Sequence, residues 1–171
     1  MTRHLVEPAT DLILGYIAAN IPAALTDIRT DRNNPVNLGL PTPVPQEYFI
    51  ASPYMALNPP SIFIVCDSID FKKDRGANFI CATAKYGIAA IAEGLNTENL
   101  TRQTWRYQAA LSQILDNLSL TSSDNTLRLK IIVRAAEFSE SYDASSQGNK
   151  PAKRWRKGVL LRCDVEFYEA L

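Results

Sequence analysis

Histidine is almost absent from this 171-residue chain; the single one is His4. That removes most acid–base, nucleophile and metal schemes built on imidazole. Cysteine is scarce as well. Cys66, Cys81 and Cys163 show no C-x-x-C spacing, and each sits inside an apolar run. An odd number in such settings reads as reduced, buried thiols of an intracellular protein, with a Cys66–Cys81 disulfide as the lesser alternative. No phosphate loop, dinucleotide fingerprint or G-x-S-x-G occurs. Neither sign of charge is in excess, 18 basic residues standing against 18 acidic. That balance argues against a protein that coats nucleic acid, although local patches can still be strong. No apolar run reaches the roughly 18 residues that span a bilayer. Residues 10–17 are too short and too polar-flanked for a signal peptide. These absences predict a soluble protein made in the cytoplasm, with no membrane partner, no cofactor and no metal.

What is present suits one globular domain over 1–171. Apolar residues make up 46% and charged residues 21%, and a chain of this length can bury roughly 70% of its unfolded surface. Residues 9–29 carry Leu12, Ile13, Tyr16, Ile17, Ile21, Leu25 and Ile28 at steps of three and four. This is the pattern of an amphipathic helix, started by Pro8 or Thr10 and kinked or divided by Pro22.

From 30 to 60 the chain changes character. Seven of its ten prolines lie between Pro35 and Pro60, a density that forbids a helix and disfavours central strands. Tyr48, Phe49 and Tyr54 lie within the segment. Long loops in compact domains are functional or disordered. The aromatics favour an ordered arm laid on a neighbouring surface.

Residues 61–69, SIFIVCDSI, read as a strand, and 78–93, NFICATAKYGIAAIAE, as its longer partner. The charged turn 71–77 between them makes a hairpin, with Gly87 marking a bulge or bend. Thr97 or Asn99 caps a second helix, whose stripe is Leu100, Tyr107, Leu111, Ile114, Leu115 and Leu118, with Trp105 beside it. That helix is expected to end near Asn117. Residues 127–138 alternate, with Leu129, Ile131, Val133 and Ala135 on one face and Arg128, Lys130 and Arg134 on the other.

The last stretch alternates most clearly. Val159, Leu161, Cys163, Val165 and Phe167 share one face; Arg162, Asp164, Glu166 and Tyr168 share the other. Period two over ten residues marks a half-buried strand. Antiparallel pairing with 127–138 is the simplest topology. The expected class is therefore α+β in the order α-ββ-α-ββ, a mainly antiparallel sheet with two helices on one face and a long Pro-rich loop.

Two features bear on function. Asp164 and Glu166 share a strand face and could pair as catalytic or metal-binding carboxylates, but cross-strand pairing with Arg128, Lys130 or Arg134 accounts for them more simply. The segment 150–157, KPAKRWRK, holds five cations and no acid: Lys150, Lys153, Arg154, Arg156 and Lys157, around Trp155. It reads either as a patch for an acidic protein or nucleic-acid backbone, anchored by the indole, or as a solvated turn whose Trp tucks onto the sheet. The turn residues Lys72, Lys73 and Arg75 form a weaker version. No catalytic constellation emerges, and a non-enzyme is expected.

An N-terminal helix, the approach to PPSIFIV, a hairpin, a helix with RYQAAL at 106–111 and a last strand reached through WRKGVLLRCDVEF together resemble the tail terminator (tail completion, or minor tail) proteins of long-tailed bacteriophages. The resemblance runs from about Ala9 to the last strand; the Pro-rich segment departs from it. It implies a virion protein of the tail or neck, assembled in the host cytoplasm. Six copies would close a ring on the tail tube, stop its polymerisation and offer a surface to the head-side connector or stopper protein. Implied partners are further copies of the chain, the tube protein, that connector, the sheath if the tail contracts, and DNA only as transiting genome. Under this reading the partner-binding residues are Tyr48, Phe49, Tyr54, Lys72, Lys73, Arg75 and the 150–157 cations with Trp155. Arg128, Lys130 and Arg134 would face the channel. A neck or head-completion adaptor and a nucleic-acid-binding module are the competing readings.

Overall fold

The computed structural model describes residues 5–31, 38–51, 58–71, 79–143 and 154–170. Its first element is α1, Val6–Thr30, which buries Ala9, Ile13, Ile17, Ile21, Ala24 and Leu25 along one side. It starts earlier than its Pro8 or Thr10 signal suggested, and it runs unbroken through Pro22. One missing N–H does not divide it, because the i, i+4 apolar spacing continues on both sides of the proline and packing outweighs local propensity. By length and composition α1 would also pass for a membrane span, contrary to the expectation from apolar runs. Here its apolar side is spent on the sheet.

A short 3-10 turn, Pro45–Glu47, leads into β1, Tyr48–Ile50. Then come β2 (Ser61–Phe71), β3 (Phe79–Gly94), α2 (Thr97–Leu115), β4 (Ser119–Thr121), β5 (Leu127–Phe138), β6 (Tyr142–Asp143) and β7 (Trp155–Ala170). The expected α-ββ-α-ββ order stands, with three short strands added. Asn96, not Thr97 or Asn99, caps α2: its Oδ1 accepts from the backbone N–H groups of Glu98 and Asn99 at 2.9 and 3.1 Å. The helix ends at Leu115, two residues short of expectation, and Asn117 turns the chain with φ 56°.

The sheet order is β1-β2-β3-β7-β5-β4, with β6 also on β7. All pairs are antiparallel except β1–β2. The last strand is therefore the central one. It pairs with β5, as the alternation implied, and along its whole length with β3. The irregularity expected at Gly87 falls on the neighbouring strand instead, between Cys66 and Ser68, and a second lies between Val133 and Ala135.

Both helices cover one face. There Val159, Leu161, Cys163, Val165 and Phe167 of β7 join Ile62 and Ile64 of β2 and Leu129 and Ile131 of β5 in one core. On β3 the same face carries Ala82, Ala84, Ala90 and Ala92. These small side chains, with Ala110 on α2, let helix and sheet approach closely. Tyr86 fills the space between: its ring meets Phe167 edge-on at 6.4 Å, and its hydroxyl meets Thr10 Oγ1 at 3.0 Å.

Candidate interaction surfaces

The basic lead-in to β7 is held by its own chain. Glu93 and Arg156 stand opposite each other in the β3–β7 ladder. Arg156 Nε donates to Glu93 Oε2 at 2.9 Å, with both side chains only 4% exposed. Arg154 Nη1 donates to the other carboxylate oxygen at 3.0 Å from a more open position. Lys157 Nζ donates to Thr101 Oγ1 of α2 at 3.1 Å. Trp155 is half-buried and packs against the main core. Of the described cations in this lead-in, Arg154 alone projects substantially to solvent. Lys150 and Lys153 lie outside the described residues, as do Tyr54, Lys72, Lys73 and Arg75.

The described part of the Pro-rich segment packs on the chain itself. Leu38 and Leu40 are buried. Arg29 donates to the Leu40 carbonyl, Gln103 to that of Gly39 at 2.7 Å, and the Tyr107 hydroxyl to that of Pro41. Glu47 is buried, accepting from the Ser61 hydroxyl and from the Asn58 backbone N–H. These contacts make the described arm a cover for α1, α2 and the edge of the sheet. Tyr48 packs on the main core, where burial raises its phenol pKa. Phe49 stacks on Phe63, ring centroids 5.1 Å apart.

The sheet's second face carries no helix among the described residues, and it divides into two halves. One half is a ladder of charge. Arg134 Nε reaches Asp164 at 2.8 Å. Arg162 bridges Asp67 at 3.0 Å and Glu137 at 3.3 Å. Gly87 sits between them, and a Cβ there would meet Leu160, Val65 and Asp67. Its missing side chain gives Arg162 a path across β3. Arg128 and Lys130 are exposed, opposite Tyr168 and Glu166 in the β5–β7 ladder. Glu166 accepts from the Tyr168 hydroxyl at 3.2 Å. Asp164 and Glu166 thus each have a protein partner. Among the described residues no three His, Cys, Asp or Glu side chains converge to hold a metal.

The other half is apolar. Phe63, Ala89 and Ile91 form a second buried cluster, closed over by Phe49 and Leu160. Beside it a cavity of about 290 Å³ is lined by Ala89, Ile91, Leu160, Phe138 and Tyr142. Sequence reasoning missed this patch, because Ala89, Ile91 and Leu160 look like ordinary members of buried runs. Leu160 was the one visible signal, an apolar residue on the polar side of β7.

Neither Cys163 nor Cys66 is activated as a nucleophile. Burial, helped by the nearby Asp164 and Asp116 carboxylates, pushes the Cys163 thiol up to about 12. Burial also raises Cys66. A thiol held protonated is a slower nucleophile than a free one.

No protein-family model matches the sequence, and no curated protein matches it. Among solved structures, a chain from the virion of a native gene transfer agent (GTA) particle aligns with 89% of this chain and 96% of its own length, at 15% identity and a TM-score of 0.31. A score that low establishes neither a shared fold nor a shared role.

Proposed function

We propose that this chain is a structural protein of a phage-type virion, and more finely a tail terminator. In this role copies close into a ring on the tail tube, stop its growth and present the joining surface to the head-side connector. The observation that carries the reading is the sheet's second face. It sets an apolar patch and cavity beside a charge ladder in which Arg134 and Arg162 pair with acids of the same sheet. Phe63, Ala89 and Ile91 are covered within the chain, but Phe138 and Tyr142 at the cavity are exposed, and exposed apolar residues rimmed by polar ones mark protein contacts. The likeness of 59–65, 106–111 and 155–167 to tail terminators supplies the identity of the partner. Neutral overall charge and the internal pairing of Arg154 and Arg156 weigh against DNA as the main ligand.

The test is tube assembly. Purified tube protein is polymerised with and without this protein, and tube lengths are measured by negative-stain microscopy. Shorter tubes with one decorated end are expected, and the Leu160→Glu variant should lose the effect. Unchanged tube lengths would overturn the reading. Capture by a portal-side ring without any effect on tubes would move the protein to the neck adaptors.

A further inference from the structure

The two sides of the sheet end in complementary open edges. Among the described residues, β1 covers β2 only at Ile62, Phe63 and Ile64. On the far side β4 covers β5 only at Arg128, Leu129 and Lys130, after which Leu118 O and Asp116 Oδ1 take the N–H groups of Ile131 and Val133. Among the described residues, this leaves the outer edges of 65–71 in β2 and 134–138 in β5 without a pairing strand. Such edges are templates for another strand. β2 runs parallel to β7 and β5 runs against it, because each is linked to β7 by antiparallel pairs. A copy set beside another with strands aligned the same way therefore brings β5 against β2 antiparallel.

We propose that the occupant of the β2 edge is the β5 edge of a second copy, joined head to tail. Each open stretch contains one irregularity, at Asp67 and at Arg134. Counting these as bulged, the two stretches align through Cys66–Phe138, Ser68–Glu137, Ile69–Ala136 and Asp70–Ala135. Every pair matches faces. Within the chain, Cys66 and Ile69 share the helix side with Tyr86 and Ala84, and Ala136 and Phe138 share it with Leu161 and Val159. Ser68, Asp70, Ala135 and Glu137 share the other side by the same ladders. Arg134, 57% exposed, comes beside Asp70 of the next copy. Phe138, 44% exposed, comes opposite Cys66 in this alignment, at the end of β5 where it also lines its own chain's cavity beside Leu160. Relative to β7 the two stretches are offset by about four residues over four strand spacings, which inclines the strands by roughly 35° to the axis of closure, as in closed barrels. Contacts of this heterologous kind make rings when they close. The inference deepens the ring proposed above and rests on that reading only for closure.

Cysteine cross-linking of the full chain tests it. Residues opposite each other in an antiparallel pair have Cα atoms about 4.5–5.5 Å apart, within reach of a disulfide. Phe138→Cys, treated with oxidised glutathione, should give a ladder of linked copies on non-reducing gels. Adding Cys66→Ser should abolish the ladder, and Glu137→Cys should link far less. Phe138→Asp should weaken self-association in sedimentation about ten- to hundredfold, with unchanged circular dichroism. A protein that stays monomeric, or one that oligomerises without a link between Cys66 and the thiol introduced at position 138, overturns the proposal. Loss of the link in a protein that still limits tube length would overturn the edge pairing alone. A ladder in a protein that leaves tubes unchanged would support the pairing and remove the tail role.

Discussion

Replacing Arg156 by Met tests whether the basic lead-in is architecture or contact surface. Arg156 and Glu93 are each 4% exposed and meet at 2.9 Å. Removing one partner of a buried ion pair typically costs 3–5 kcal/mol, because the other charge stays behind in a poor solvent. Arg154 still reaches Glu93 from the rim, so the lower end applies, about 3 kcal/mol. For a chain of this size each kcal/mol moves Tm by about 2–4 °C, giving a fall of roughly 6–12 °C in calorimetry or denaturant-linked melting. The double variant Glu93→Met/Arg156→Met should cost about 2 kcal/mol less than the sum of the two single losses, since an apolar pair avoids the stranded charge. An Arg156→Met protein within about 1 kcal/mol of the parent, or single losses that simply add, would refute the clamp. It would also return Arg156 to the pool of surface cations.

Two further outcomes follow from particular side chains. Gly87→Ala should be tolerated, because a Cβ would meet only side-chain ends at 3.2 and 3.4 Å. Gly87→Val should cost about 1–3 kcal/mol in urea titrations, through overpacking against Leu160 and Val65. Cys163 is raised from 9.0 to about 12 in the folded chain. Its neutral thiol favours folding fully below pH 9, and that contribution is lost as pH rises through the 9–12 window. Stability should therefore decline across this range in denaturant titrations, and Cys163→Ala should flatten part of the slope; an unchanged slope would contradict the burial of this thiol.

Parity along the last strand made much of this fold legible. The alternation from Val159 to Tyr168 marked β7 and its pairing with β5. The partnership with β3 was hidden, because in the alanine-rich run 79–94 the face bearing Thr83, Lys85 and Glu93 also carries Gly87, Ala89 and Ile91, which blurs the alternation. The arm was hidden for a different reason. Proline density describes what a segment cannot be, whereas Leu38, Leu40 and Glu47 find their places through long-range contacts. The lead-in was more readable than it looked. Carried back from Val159, the same alternation puts Trp155 and Lys157 on the helix side and Arg154 and Arg156 on the other. What no local pattern showed was that Glu93, some sixty positions earlier, ends the neighbouring strand at the level of Arg156.

The central place of β7 also sets an order of events during synthesis. Until residues 155–170 leave the ribosome, β3 and β5 each present a long edge that no earlier strand fills. The two parts of the sheet cannot register with each other before then, since only β7 lies between them. Native pairing must therefore wait for the farthest-downstream strand, and non-local pairing of this kind is slow. A nascent chain stalled before Trp155 would expose two adhesive borders at once. Such a chain should depend strongly on chaperones, whereas one that has emitted Ala170 should not.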